Sequence, residues 1–195
     1  VGTLSGKRHG ENFQRRKNPQ NELELLEIRL NILDKYVDYF VLLEATKTFN
    51  NNPKEMYYEK NKHLFEKFSK KIIHIKLDNH PEFTNAWDYE KHQRNSLILG
   101  LEKVQLEDVI MLSDVDEIPN PYLIEKVKFE LGIKVFKLPT FYYYLNVLTN
   151  DVAMCTRIFF AEEIKKRSMS EIRVAGDKLY TKKTGWHFSF LGDEK

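Results

Sequence analysis

The chain alternates short apolar runs with amphipathic segments, and this alternation limits its possible folds more than any other feature. Leucines recur three and four positions apart within residues 22–33, which is typical of a helix with one buried face. Two further helices are predicted at residues 60–70 and 87–104. Apolar runs typical of strands covered on both faces lie at residues 37–43, 72–77 and 109–112. This order predicts an α/β fold with a mostly parallel central sheet flanked by helices.

The pattern changes after residue 121. One more helix is predicted to residue 131, and three apolar segments then follow closely, at residues 133–138, 141–148 and 152–160. Residues 184–190 alternate, so Trp186, Phe188 and Phe190 are expected to pack inward while His187 faces a cleft. The second half is therefore predicted to be a mixed or antiparallel part of the fold.

Composition excludes several classes of protein. The net charge of +2 in 195 residues is too small for a nucleic-acid binder, and one cysteine, Cys155, permits neither an intrachain disulfide nor a zinc-knuckle motif. No apolar run is long enough for a membrane span, so we expect a cytoplasmic microbial or viral protein, or a Golgi lumenal one trimmed of its anchor. Residues 1–20 are polar and are expected to form a flexible tail before a single domain at 21–195.

Three acids follow the apolar run at residues 109–112. Because side chains alternate in an extended segment, Asp114 and Asp116 are expected to project to the same side, about 6 to 7 Å apart. Two such carboxylates at the carboxyl end of a strand, with Glu117 beside them, are typical of a site for Mg²⁺ or Mn²⁺ bound to a diphosphate. The alternative is a solvated turn that caps the helix starting near Pro121.

Five ordered blocks resemble glycosyltransferase family 17, and together they extend over residues 21–191. The blocks are residues 21–30, 37–49, 93–95, 113–119 and 185–189. The resemblance implies a GT-A-like fold, a UDP-sugar donor that carries N-acetylglucosamine, a glycan acceptor, dependence on Mn²⁺ or Mg²⁺, and inversion at the anomeric carbon. It places the donor-binding half at about 21–120 and the acceptor half at about 121–195. One departure is that polar residues 14–20 occupy the place of the family's apolar first strand.

The resemblance also implies roles for single residues at the metal. Asp116 would be a direct ligand and Asp114 would lie nearer the ribose, with Glu117 orienting the cluster. His187 would be a third metal ligand, and the alternative is a cleft or core histidine satisfied by hydrogen bonds. For the catalytic base of an inverting transfer, the candidates are Asp177 and Asp193, each of which has an alternative as a surface acid.

The remaining candidates concern the donor. Glu44 and Thr46, at the end of a predicted strand, would read the nucleoside. Arg94 and Asn95 lie on the predicted helix 87–104, where Arg94 would brace the diphosphate or pair with an acid of the cluster. Arg157 would neutralise the leaving diphosphate, or form a salt bridge at the sheet edge.

Two other functional classes remain open from the sequence. A nucleotidyltransferase would also place an acid and a metal at a strand end, but the glycines near the start form no phosphate-binding loop. A non-catalytic sugar- or partner-binding module would keep the fold without turnover.

Overall fold

The computed structural model describes residues 2–3, 19–48, 52–78, 81, 83 and 85–189. Its α-helices are α1 (Pro19–Leu33), α2 (Tyr57–Asn61), α3 (Ala86–Asn95), α4 (Pro121–Val127) and α5 (Met169–Val174). Its strands are β1 (Gly2–Thr3), β2 (Phe40–Ala45), β3 (Ile72–Leu77), β4 (Val109–Asp114), β5 (Glu117–Pro119), β6 (Lys134–Tyr142), β7 (Leu148–Phe160), β8 (Lys178–Tyr180) and β9 (Gly185–Ser189). Short 3₁₀ segments are Lys62–Phe68, Ser96–Gly100 and Ala161–Lys165.

The described strands form one sheet in the order β3-β2-β1-β4-β7-β6-β9-β5, and β8 pairs with β6. The first four are parallel, whereas β7 is antiparallel to both β4 and β6, and β5 is antiparallel to β9. This arrangement confirms the predicted α/β class with a parallel part and a mixed second part. No helix within the described ranges is long and apolar enough to cross a membrane.

Helices cover both faces of the sheet. In β2, Leu42 packs with the buried leucines of α1, while the next residue, Leu43, packs with Leu97 and with Ile172 of α5. Consecutive strand residues face opposite sides, so each β4 residue also meets one helix layer or the other. This alternation directs Ser113 toward α1 and Asp114 toward α3 and α5.

Several predicted elements differ from the structure. The strand predicted at residues 141–148 is wrong, because this segment is the end of β6, the turn of a hairpin and the first residue of β7. Trp186 is 38% exposed, so the face of β9 expected to pack inward is only partly buried, whereas His187 is 7% exposed. Gly2 and Thr3, in the predicted tail, pair with β2 and β4 between those strands. The sequence did not predict β1, because two residues are too few to show the alternation of a strand.

Gly185 begins β9 and sets how that strand meets β5. Its φ is +132°, and a Cβ at this position would clash with the carbonyl oxygen of Ile118 and lie 2.7 Å from Cα of Pro119. Lys183, two residues earlier, also has a positive φ of 54° but carries a side chain. Gly185 therefore occupies a position that requires glycine, whereas the position of Lys183 accommodates a side chain despite its positive φ.

We predict that Gly185→Ala lowers the free energy of unfolding by at least about 2 kcal/mol, because the added methyl meets rigid backbone at a disfavoured φ. Lys183→Gly is the matched control and is expected to change stability by less than about 1 kcal/mol. It removes backbone strain from the folded state, but it also increases the conformational entropy of the unfolded chain, and the two effects oppose each other. Urea unfolding measures both. Equal midpoints for Gly185→Ala and the parent chain would contradict the steric argument.

Candidate active site

The acids after β4 lie on a tight turn that joins β4 to β5. The Glu117 carboxylate closes the turn, because its Oε2 accepts a hydrogen bond from the backbone N–H of Asp114 at 3.1 Å. The Asp116 carbonyl accepts a hydrogen bond from the N–H of Phe188 at 2.9 Å, which ties the turn to β9. Asp116 and Glu117 are buried, at 8% and 1% exposure. The turn is therefore an ordered part of the protein interior, not a solvated loop.

Arg29 of α1 holds this turn from one face of the sheet. Its guanidinium donates to Oγ of Ser113 at 2.5 Å, to the carbonyl of Asp114 at 3.2 Å, and to the carbonyl of Glu117. Burial lowers the pKa of Arg29 to about 10, although the negative charges of Glu117, Asp114 and Asp116 act in the opposite direction. Removal of this guanidinium would leave backbone carbonyls without donors in the interior.

Two arginines hold the turn from the opposite face. Arg173 of α5 forks onto Glu117, with Nη1 3.0 Å from Oε2, and its Nη2 lies 3.3 Å from Oδ2 of Asp114. Arg94 of α3 lies 3.7 Å from the other Asp114 oxygen and 2.8 Å from Glu90. Burial alone would lower the pKa of Arg173, but the charges of Glu117 and Asp114 raise it above its ordinary value. The Asp114 carboxylate therefore lies between two guanidinium groups.

His187 lies opposite Glu117 in the β5–β9 pair. Its Nδ1 is 3.1 Å from Oγ1 of Thr140, and its buried Nε2 has no hydrogen-bond partner among the described residues. A ring nitrogen of His187, a carboxylate oxygen of Glu117 and Sγ of Cys155 lie within 4.8 Å of one another. A buried nitrogen without a partner is costly, so the position fits a metal ligand better than a satisfied core histidine.

The structure gives Glu44 a contact within the protein. Its carboxylate accepts hydrogen bonds from the backbone N–H groups of Tyr58 and Glu59, at 2.8 and 2.9 Å, and lies 3.0 Å from Nε2 of His74. Thr46 is held to the adjacent strand, because its N–H donates to the carbonyl of Leu77 at 3.0 Å. Glu44 thus stabilises the start of α2, and its predicted contact with a nucleoside stays a prediction.

Asn95 and Arg157, predicted at the donor, hold the two ends of α5. Oδ1 of Asn95 accepts a hydrogen bond from the N–H of Ser170 at 2.9 Å. Nε of Arg157 donates to the carbonyl of Ala175 at 2.8 Å, and Nη1 donates to the carbonyls of Met154 and Cys155. Since α5 carries Arg173, both side chains position the guanidinium that binds the acids. For both residues, contact with a donor stays a prediction.

The two base candidates differ in what the structure describes. Oδ2 of Asp177 accepts a hydrogen bond from the N–H of Ile133 at 2.7 Å, and the Asp177 N–H donates to the Ile133 carbonyl at 2.9 Å. Asp177 therefore stabilises the start of β6. Asp193 lies outside the described residues.

Sequence reasoning missed Arg29 and Arg173 as site residues. For Arg29 a signal existed, because a charged residue occurs three positions after Leu26 and one before Leu30, within the helix face that the leucines mark as buried. For Arg173 the sequence contained no such signal. The helix α5 has six residues, too few for a periodic pattern.

The chain is similar to proteins of a known family. The model of glycosyltransferase family 17 matches residues 19–192. Two relatives, from Homo sapiens and Rattus norvegicus, are each named beta-1,4-mannosyl-glycoprotein 4-beta-N-acetylglucosaminyltransferase. Both are 27% identical over an alignment of 110 residues, which covers 52% of this chain and 21% and 20% of theirs. The matched part thus spans about a fifth of their length.

A solved structure of HddC from Yersinia pseudotuberculosis, complexed with GMP-PN, has a TM-score of 0.48 and 9% identity, over 97% of this chain and 88% of that one. The family match, by contrast, extends through the turn of acids, both faces of the sheet and the strand that carries His187. The chain therefore belongs to glycosyltransferase family 17.

Proposed function

We propose that the chain catalyses metal-dependent transfer of N-acetylglucosamine from a UDP-sugar to a glycan, with inversion at the anomeric carbon, on a GT-A-like fold. The observation that carries the proposal is the ordered turn of acids at the carboxyl end of β4, where open α/β sheets bind ligands. Membership of the family supports glycosyl transfer. The names of the human and rat relatives support N-acetylglucosamine as the sugar and a mannosyl glycan as the acceptor.

The chemistry of two side chains at this turn suits a divalent cation. Asp116 contributes a largely buried carboxylate, and His187 contributes an imidazole nitrogen without a hydrogen-bond partner in the described part of the chain. Oxygen and imidazole ligands suit Mn²⁺, and a small number of protein ligands leaves coordination positions for phosphate oxygens. We propose that Asp116 is a direct ligand and that His187 is a further one. When bound, the ion would neutralise charge on the leaving diphosphate.

Asp114 and its arginines serve a different purpose. The carboxylate is held from both sides by Arg94 and Arg173, so its orientation is defined before any donor binds. We propose that it accepts a hydrogen bond from the ribose. The guanidinium groups add a positive potential at the carboxyl end of β4, which favours a diphosphate there. Glu117, bound to Arg173, orients the turn.

We predict that UDP binds in the presence of Mn²⁺ and that EDTA abolishes this binding. Asp116→Ala should weaken it at least about tenfold, because a direct metal ligand is lost. Asp38→Ala, at an exposed position before β2, is the matched control and should bind as the parent chain does. Isothermal titration measures all three proteins. Absence of UDP binding from the parent chain would refute the proposal, and binding without turnover of any UDP-sugar would favour a non-catalytic module.

The base of an inverting transfer must remove a proton from the acceptor hydroxyl. Because the Asp177 carboxylate is held by Ile133, we propose Asp193 for this role. Asp193→Asn should reduce turnover at least about a hundredfold with UDP affinity unchanged, whereas Asp177→Asn should reduce stability more than turnover. Steady-state kinetics and urea unfolding of both variants separate the two effects. Full turnover in Asp193→Asn would exclude it as the base.

We predict that Arg173→Met lowers the free energy of unfolding by about 3 to 5 kcal/mol, because the buried carboxylate of Glu117 and the partly buried one of Asp114 lose their shared cation. Arg173→Lys should lower the free energy of unfolding by less, because lysine keeps the positive charge but cannot bind Glu117 through two nitrogens. The exposed Arg167 provides the control, and Arg167→Met should change stability by less than about 0.5 kcal/mol. Urea unfolding is the measurement. Similar losses for Arg173→Met and Arg167→Met would show that the ion pairs contribute little.

A further inference from the structure

Three buried side chains that metals bind converge beside the turn of acids. They are Glu117 of β5, Cys155 of β7 and His187 of β9, whose exposures are 1%, 1% and 7%. One potential ligand atom from each lies within 4.8 Å of the other two. The function proposed above uses His187 and Glu117 but has no use for the thiol.

The strand register explains how residues far apart in sequence meet. His187 pairs directly with Glu117 across the β5–β9 ladder. On β7, Arg157 pairs with Leu112 of β4, so Cys155 lies two residues further along, beside the start of the turn. The β6–β7 register shifts in the same stretch, between the pairs made by Val135 and Lys137. Irregularities of this kind re-aim side chains next to functional sites.

The donor set has a clear chemical preference. A thiolate, an imidazole and a carboxylate together are ligands of Zn²⁺, whereas thiolate is a poor ligand for Mn²⁺ or Mg²⁺. Around a tetrahedral zinc ion the ligand atoms lie about 3.5 Å apart. Atoms already within 4.8 Å of one another therefore need movements of about 1 Å to bind one ion.

One further observation favours metal binding at this place. Nε2 of His187 is buried without a hydrogen-bond partner in the described residues, so coordination would remove a cost that the protein otherwise carries. Arg157 and Arg173 both donate to the carbonyl of Cys155, so two side chains fix the backbone that carries the thiol.

We propose that Glu117, Cys155 and His187 form a site for a thiophilic divalent ion of the zinc class, different in ligand chemistry from the Mn²⁺ site. Binding there draws Glu117 away from Arg173 and occupies His187. Zinc is therefore an inhibitor of metal-dependent donor binding. The inhibition rests on the function proposed above, but zinc binding does not.

The test uses Co²⁺ as a spectroscopic probe for zinc, without nucleotide. Cys155 is the one cysteine of the sequence, so any sulfur-to-cobalt charge-transfer absorption reports this residue alone. We expect the band in the parent chain, its removal by stoichiometric Zn²⁺, and its absence from Cys155→Ser. His187→Ala should weaken cobalt binding at least about tenfold. Urea unfolding checks that the variants fold.

No band in the parent chain, or a band of unchanged affinity in His187→Ala, would overturn the proposal. Asp116→Ala separates it from the function proposed above, because this variant should keep the band while losing Mn²⁺-dependent UDP binding. Zn²⁺ should lower UDP binding in the parent chain but not in Cys155→Ser. Equal inhibition of both proteins would show that zinc acts at another position and would refute the inhibitory role.

Discussion

The rest of the site depends on the hydrogen bonds that the buried guanidinium of Arg29 donates to the turn of acids. This guanidinium joins α1 to the turn between β4 and β5 by donating to a hydroxyl and two backbone carbonyls. A turn that carries three acids would otherwise move toward water, where carboxylates are best solvated. With Arg29 in place, the backbone of the turn is fixed to the helix layer, and its side chains can be arranged by contacts from the opposite face.

That opposite face supplies a second set of charges through α5. The helix is short, and its position depends on contacts from outside it: Asn95 binds its beginning and Arg157 binds the carbonyl after its end. Arg173 is therefore presented to Asp114 and Glu117 by residues from β7 and α3. A change in Asn95 or Arg157 can affect the acids without contact with any ligand, through the position of this helix.

Much of the fold could be predicted from local pattern. The leucine spacing of α1, the apolar runs of β2, β3 and β4, and the acids after β4 all depend on neighbouring residues, so they are readable in the sequence. The segments that escaped prediction, namely β1, β5, β8 and α5, are too short to show a period. The sequence predicts a strand at the hairpin between β6 and β7 because the segment contains apolar residues. In the structure these residues, among them Leu145 and Leu148, are exposed. In this hairpin, apolar residues do not indicate a buried strand.

The sequence by itself determined the family, the α/β class and the location of the acids, because those properties reside in contiguous blocks of residues. The tertiary structure decided what each acid contacts. Arg29 lies 85 positions from Asp114, and Arg173 lies 56 from Glu117, so neither pairing leaves a local signal. The meeting of Cys155 and His187 depends on the order of three strands and on a register shift. Strand order is set by packing of the whole chain, which no local pattern contains.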